Sequence, residues 1–227
     1  PPTLDDIPVF EAKIVGDDVV VVVPDELPSE ARTPRMAAFD PKGDSRVFVI
    51  LGTGAAGLVA AETLRQDGFS GRIVMVTRES EMPYDRTELS KRYLAKADQE
   101  QPFLRREEFF RDHSIEVMLD HEVTDVSFTG KQVFFRQGQP LSYDRLLVAT
   151  GGVPKTLGVE GENLPGVFLL RTLSDCQQIR NLEGVQKALI VGSAFIGMEV
   201  AASLRQRNVE VSVVSPDAVP FEKGFGP

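Results

Sequence analysis

Two glycine-spaced turns hold the residues whose types and spacing point most directly to chemistry. Gly52-x-Gly54-x-x-Gly57 follows the apolar run Val47 to Leu51, and Gly192-Ser193-Ala194-Phe195-Ile196-Gly197 follows Ala188 to Val191, 140 positions from Gly52 to Gly192. In the first, Gly52 permits a tight turn, Gly54 lets a pyrophosphate approach the backbone, and Gly57 lets a helix pack closely on the strand. An anion would sit on the helix N-terminus, where free N–H groups and the helix dipole both favour it. One such motif is a weak signal. Two, each read as strand, glycine turn, helix and strand, predict two dinucleotide sites in one chain. Two redox nucleotides held face to face would let one pass hydride to the other.

The elements that must position these turns follow from hydrophobic period and punctuation. Ala55 to Asp67 is predicted helical, with Leu58, Ala61 and Leu64 on one face and Gly68 as its stop. Arg72 to Thr77 is the strand that completes the first unit. Thr77 and Arg78 precede Glu79 at the strand end, so the acid expected to hold a ribose hydroxyl is displaced. Thr87 is predicted to cap a short helix through Leu89, Ser90 and Lys91, and Glu107 to His113 forms another. Ile115 to Met118 is strand-like. Val123 to Phe128 and Gln132 to Arg136 form a hairpin that feeds the strand Tyr143 to Ala149. Thr150-Gly151-Gly152 then closes on a ligand or is an ordinary turn. Val167 to Leu170 is predicted as a strand, and Ser174 to Glu183 as a helix capped by Ser174 and stopped by Gly184. The second unit continues through a helix to about Arg207 and a strand from Val209 to Val214. The fold class is therefore α/β, with two Rossmann-like dinucleotide-binding units. The second of them, and the chain as a whole, is expected to be incomplete.

Ahead of the first unit lies a short β segment of different character. Val9 to Val15 and Val19 to Val23 read as two strands joined at Gly16-Asp17-Asp18, stopped by Pro24 and Pro28. The five consecutive valines lack alternation, as in a strand covered on both faces. An isolated hairpin is marginal in water, so a larger sheet outside this chain is expected. Residues 28–45 read as a linker.

The 227 residues are 42% hydrophobic and 26% charged, which is globular composition. A net charge of −9 without a clustered basic excess argues against nucleic-acid binding. Cys176 is the one cysteine. No internal disulfide, Cys-x-x-Cys redox pair or cysteine-held cluster can form within the chain, and redox chemistry must come from a cofactor. An intracellular location is expected, cytoplasmic or else mitochondrial. No apolar run reaches the roughly 18 residues of a membrane span, and no leader peptide is visible. His113 and His121 have no ligand-like spacing to other groups; both are expected at the surface, and no metal site is expected.

Beyond the glycine turns, Pro83-Tyr84-x-Arg86, Leu89-Ser90-Lys91, Ala149-Thr150-Gly151 and Phe195-Ile196-Gly197-Met198-Glu199 form a spaced set far more specific than either turn alone. Over residues 46–227 the chain resembles the FAD-dependent pyridine nucleotide oxidoreductases, in the branch of apoptosis-inducing factors and ferredoxin reductases. The nearest subgroup is the Rieske-containing apoptosis-inducing factor-like proteins. The resemblance implies FAD in the first unit, at Gly52, Gly54, Ala55, Ala56, Gly57, Arg86, Lys91, Val123, Thr150, Gly151 and Arg171. It implies NAD(P)H in the second, at Gly192, Phe195, Ile196, Gly197, Glu199, Asp217 and Lys223. Lys91 and Glu199 are the expected catalytic pair.

The resemblance further implies an oxidoreductase that passes electrons from NAD(P)H through FAD to a one-electron carrier, an iron–sulfur protein or a fused Rieske domain. A homodimer is one assembly open to the longer protein. A signalling protein acting by association rather than turnover is the alternative. Residues 1–27 resemble the closing strands of a Rieske domain, residues 46–152 the first part of an FAD-binding domain, and residues 153–227 the start of an NAD(P)-binding one. The truncated chain is expected to be inactive alone.

Three departures qualify the match. Arg78 stands where relatives have the ribose acid, Ala194 replaces the middle glycine of the second turn, and the second half of the FAD domain and the C-terminal interface domain are expected to lie outside this chain. The cluster ligands of a Rieske domain are absent from it too. Arg86 and Lys91 could also be solvated charges, and Phe195 a core aromatic. Glu199 shares a helix with Val200, Ala201 and Leu204, so a buried acid there needs a partner, either Lys91 or the neighbouring Arg205. Ser215 ends the last strand and Asp217 follows, an arrangement that favours NADH over NADPH. Cys176 reads as structural.

Overall fold

A computed structural model describes residues 10–23, 35–96 and 98–226. The expected strand start at Val9 and the stops at Pro24 and Pro28 lie outside the described residues, as does the side chain of Lys223.

The apolar run before the first glycine turn forms β3 (Val47–Leu51), the centre of a parallel sheet. Beside it run β4 (Arg72–Val76), β5 (Ile115–Met118) and β9 (Arg145–Val148), in the order β5-β4-β3-β9. The two central strands, β3 and β4, are covered on both faces, which is why they are almost continuously apolar, whereas Leu147 and Val148 of the edge strand β9 are exposed. On one face, Ile50, Ile73 and Met75 pack with Leu58 and Ala61 of α1 (Ala55–Gln66) and Phe110 of α3 (Glu107–Asp112). On the other, Val49, Leu51, Val74 and Val76 pack with Val133 and Tyr143. Val133 belongs to an antiparallel sheet of β6 (Val123–Ser127), β7 (Gln132–Phe135) and β8 (Leu141–Ser142). The short β8 is an element that periodicity did not reveal, because two residues carry no period.

The second unit pairs β10 (Lys187–Val191) with β11 (Glu210–Val214) in parallel across α5 (Phe195–Gln206). Ala188, Ile190 and Val211 face the buried Val200 and Leu204 of the helix. The same core holds Tyr84, Leu89, Tyr93 and Leu94, together with Leu173 and Cys176. Tyr84 stands just ahead of a 3-10 turn at Arg86–Ser90, and the others come from that turn, from α2 (Arg92–Ala95) and from α4 (Leu173–Arg180). The segment around residues 84–94 thus leaves the first unit and packs into the second. A short α6 (Glu222–Phe225) follows β11.

Several local expectations change. Asp85, not Thr87, caps the turn at Arg86, accepting from the Thr87 amide at 2.8 Å. Residues 167–170 are not a strand, having no ladder partner among the described residues. The following helix starts one residue early because Thr172 and Asp175 form a reciprocal capping box, and it ends at Arg180 with Asn181 as its cap, before Gly184. Within the expected linker, the Ala37 amide binds the Arg65 carbonyl at 2.7 Å and the Asp40 amide binds that of Ser70 at 2.9 Å, so this stretch is tied to the first unit. The N-terminal hairpin exists as β1 (Glu11–Val15) and β2 (Asp18–Val22), but its valines are exposed on both faces within this chain. His113 and His121 are half-buried rather than exposed: each packs edge-on against a phenylalanine, Phe109 and Phe135 respectively.

Candidate functional site

The two glycine turns are built alike down to single hydrogen bonds. Gly52 has φ +111° and Gly192 φ +108°, both in the region that side chains avoid. Each donates its amide to the last residue of the neighbouring strand, Val76 or Val214, at 2.8 Å. A Cβ on Gly57 would fall on the Gly52 carbonyl, and one on Gly197 on the Gly192 carbonyl, so the helices pack as closely as the motif requires. Nothing lies within 4 Å of a Cβ built on Gly54, which leaves an open approach to the N-terminus of α1. Ala55 and Ala56 are exposed at that helix start. A cradle of this shape fits a dinucleotide pyrophosphate. Ala194 has the backbone of Gly54, with φ −82° against −72°, so its methyl group adds bulk on the approach without straining the chain.

The other expected flavin contacts gather at strand ends and at the start of α4. Val123, half-buried, opens β6. Thr150 and Gly151 follow β9, and an Arg171 guanidinium nitrogen lies 3.0 Å from where a Cβ on Gly151 would sit. The Arg171 carbonyl in turn accepts from Arg86 at 2.9 Å. Arg86 also donates to the Tyr84 hydroxyl at 2.6 Å and forms an ion pair with Glu79. It is no solvated charge. The Tyr84 hydroxyl pKa is raised, first by burial and then by its hydrogen bond to Glu79, so it stays protonated and donates to that carboxylate at 2.5 Å. Arg78 is exposed.

Lys91 and Glu199 meet. The Lys91 ammonium is 3.2 Å from the Glu199 carboxylate and 2.8 Å from the Thr87 carbonyl. Ser90 donates to the same Glu199 oxygen at 2.5 Å. Arg205, the alternative partner, binds the Val209 carbonyl at 2.9 Å. Behind the pair, the buried Ser203 hydroxyl of α5 lies 2.7 Å from the Ser90 carbonyl and 3.2 Å from that of Lys91. Lys91 ends the 3-10 turn and opens α2 in one residue, with φ −114° and ψ −121°. The Ser203 hydroxyl anchors the backbone at this change of direction. Ser90 lay inside the motif but was not read as part of the site, and nothing in sequence spacing pointed to Ser203. The pair is about one-third exposed, which limits its contribution to stability but leaves its charge available to a ligand.

At the second turn Phe195 and Ile196 are exposed on the first turn of α5, so Phe195 is not a core aromatic. Its ring packs against Phe221 at 5.2 Å and Phe225 at 5.8 Å. Ser193 donates to the Ser215 hydroxyl at 2.8 Å, and Ser215 receives the Asp217 amide at 3.1 Å, which fixes the turn after β11. Cys176 is fully buried and donates to the Leu89 carbonyl at 3.1 Å; burial pushes its thiol up to about 11. It holds structure, as expected. Among the described residues no group of acids, histidines and cysteine could hold a metal ion.

A family model described as pyridine nucleotide-disulphide oxidoreductase matches residues 46–225, which include both turns and the Lys91–Glu199 pair. The chain belongs to the pyridine nucleotide-disulphide oxidoreductase family. Within it, the chain is 41% identical over 230 residues to apoptosis-inducing factor 3 of Mus musculus, covering 99% of this chain and 38% of that protein. It is 39% identical over 168 residues to the ferredoxin–NAD(+) reductase component of the biphenyl dioxygenase system of Paraburkholderia xenovorans, covering 74% of this chain and 41% of that one. A solved ferredoxin reductase from Rhodopseudomonas palustris superposes with a TM-score of 0.75 at 32% identity, covering 80% of this chain and 45% of its own. The chain of a putidaredoxin reductase–putidaredoxin complex superposes with a TM-score of 0.71 at 34% identity, covering 78% of this chain and 44% of its own. The chain therefore spans about two fifths of the length of these family members.

Proposed function

We propose that the chain is the nucleotide-holding part of an FAD-dependent NAD(P)H oxidoreductase that delivers electrons to an iron–sulfur carrier. The observation that carries this reading is the meeting of Lys91 and Glu199 at 3.2 Å, because it brings the segment leaving the first nucleotide turn against the helix of the second. Relatives named as ferredoxin–NAD(+) reductases and a neighbour captured with putidaredoxin support the choice of acceptor. Bound FAD would supply the conversion from two-electron to one-electron transfer.

In this reading the backbone from Gly52 to Gly57 holds the flavin pyrophosphate, aided by Arg86 and Arg171, with Val123, Thr150 and Gly151 lining the approach. The turn from Gly192 to Gly197 receives the nicotinamide nucleotide, with Phe195, Ile196 and Lys223 as further contacts. Asp217 accepts from the ribose 2′-hydroxyl and repels a 2′-phosphate, so NADH is the preferred donor. Lys91 places positive charge where the reduced ring is most negative, and Glu199 holds the lysine and orients the carboxamide. Residues 1–27 are read as closing strands of a Rieske-like domain and residues 28–45 as its linker. Residues 46–152 begin the FAD-binding domain and residues 153–227 the NAD(P)-binding one. A fused Rieske domain would then be the first acceptor, and a homodimer the assembly. The location proposed is cytoplasmic, with mitochondrial as the alternative.

Anaerobic mixing of the flavin-loaded full-length protein with NADH should bleach the flavin band, and an added [2Fe–2S] ferredoxin should then be reduced. A loaded protein that NADH leaves unbleached overturns the reading. A kcat/KM preference for NADPH of about tenfold, 1.4 kcal/mol, overturns the assignment of Asp217. The similarity to apoptosis-inducing factor 3 across nearly the whole chain favours one second reading, a protein acting by nucleotide-dependent association. Nucleotide binding without sustained turnover on any one-electron acceptor would select it.

A further inference from the structure

Glu79 is the first acid after β4, the position class in which a dinucleotide fold keeps its ribose ligand. Its carboxylate is engaged within the protein instead. One oxygen takes the Arg86 guanidinium, and the other takes the Tyr84 hydroxyl at 2.5 Å. The Glu79 backbone is pinned as well, its amide to the Thr77 hydroxyl at 3.1 Å and its carbonyl to the Asp120 amide at 3.0 Å. Tyr84 is saturated: it gives its proton to Glu79 and accepts from Arg86 at 2.6 Å and from the Leu173 amide at 3.0 Å. Arg86 therefore sits among three acceptors, Glu79, Tyr84 and the Arg171 carbonyl, with its cation over the Tyr84 ring at 4.8 Å. About a quarter of the Arg86 side chain remains exposed, against a sixth for Glu79.

We propose that Glu79 is a positioning residue, which with Tyr84 holds Arg86 in its flavin-binding orientation and makes no ribose contact itself. An arginine free in water gives up rotamer entropy when it grips a ligand, whereas one already held by a carboxylate and a phenol has given it up on folding. The same network joins the end of β4 to the start of α4, so the two cationic groups, Arg86 and Arg171, come into register together. The adenosine ribose then lacks a carboxylate partner from this strand end, since Arg78 occupies the other position.

This rests on the reading that the first unit binds FAD, and the test separates the two. FAD affinity is measured by flavin fluorescence on the apoprotein, and the melting temperature of the apoprotein is followed alongside. Glu79→Gln should raise the FAD Kd about tenfold while the apoprotein melts as the wild type does, and in an Arg86→Ala background it should change the Kd no further. Unchanged affinity in Glu79→Gln, or losses that simply add in the double variant, overturns the proposal while leaving FAD binding in place. If Glu79→Gln fails to fold, Tyr84→Phe keeps the ring and removes one support; a Kd raised severalfold supports the proposal, and an unchanged one overturns it. These measurements use the full-length protein that contains this chain, and a full-length wild type that takes up no FAD sinks the functional reading and this proposal with it.

Discussion

At the level of single residues, the site works through charges that are held before any ligand arrives. Lys91 is the clearest case, since its ammonium is fixed by the Glu199 carboxylate and the Thr87 carbonyl rather than by solvent. Lys91→Ala should therefore retain bound flavin yet slow flavin reduction by NADH by about tenfold or more, the scale of one lost electrostatic contact to a developing charge. Stopped-flow absorbance reads this directly, and an unchanged rate with flavin content intact would leave the pair a structural role only. Cys176 gives a pH-dependent counterpart. Burial raises its thiol to about 11 from an ordinary 9.0, so between those pH values the unfolded chain releases a proton that the folded one keeps. Stability contributed by the neutral thiol is present below pH 9.0 and lost as the pH rises toward 11. Urea titrations across that window should show the fall in the wild type and a smaller one in Cys176→Ala.

Elements in this fold are joined by buried polar clamps as much as by apolar contact. Arg65 is fully buried on α1 and donates to four carbonyls, those of Phe69, Gly71, His113 and Ser114, at 2.7 to 2.9 Å. Burial lowers its pKa, but no pH in the working range removes the charge. It ties the turn after α1 to the turn before β5, both at the edge where the parallel strands β4 and β5 begin, opposite the first glycine turn. Arg65→Met keeps volume but orphans those carbonyls, and it should cost about 3 kcal/mol or more in denaturant unfolding. Arg205 occupies the matching place on α5 and makes the matching bond, to Val209 at 2.9 Å. The two units thus repeat a clamp as well as a glycine turn.

Taken as a whole, the molecule is unevenly covered. The central strands β3 and β4 of the first sheet are buried on both faces, whereas Leu189, Val191 and Val214 of the second unit are 65%, 55% and 50% exposed on the face away from α5. Ile14 and Val19 in the hairpin are 81% and 71% exposed. Contiguous apolar surface of this kind, on strands with unpaired edges, favours pairing with other chains. The 227-residue chain expressed alone should self-associate at micromolar concentration in light scattering, and Leu189→Lys with Val191→Lys should reduce it. A monomer across that range would show that these faces are protected in solution.

The local elements and both nucleotide turns were legible in the sequence because each rests on short-range chemistry. Gly52 and Gly57 are needed by a turn that closes on itself, and the periods of α1 and α5 follow from one buried face. The capping of α4 was misplaced by two residues, since Thr172 and Ser174 are equally good caps by type and only the Asp175 side chain decides between them. What tertiary structure alone decided were the meetings between distant segments. A carboxylate at Glu199 signals that a partner is needed, but the choice of Lys91 over Arg205 depends on residues 84–94 crossing into the second unit's core. The order Thr77, Arg78, Glu79 showed that the usual ribose acid is displaced, but only the fold shows that Tyr84 and Arg86 claim the Glu79 carboxylate. Hydrogen-bond partners are set by packing geometry across the fold, and no spacing along the chain encodes which donor arrives first.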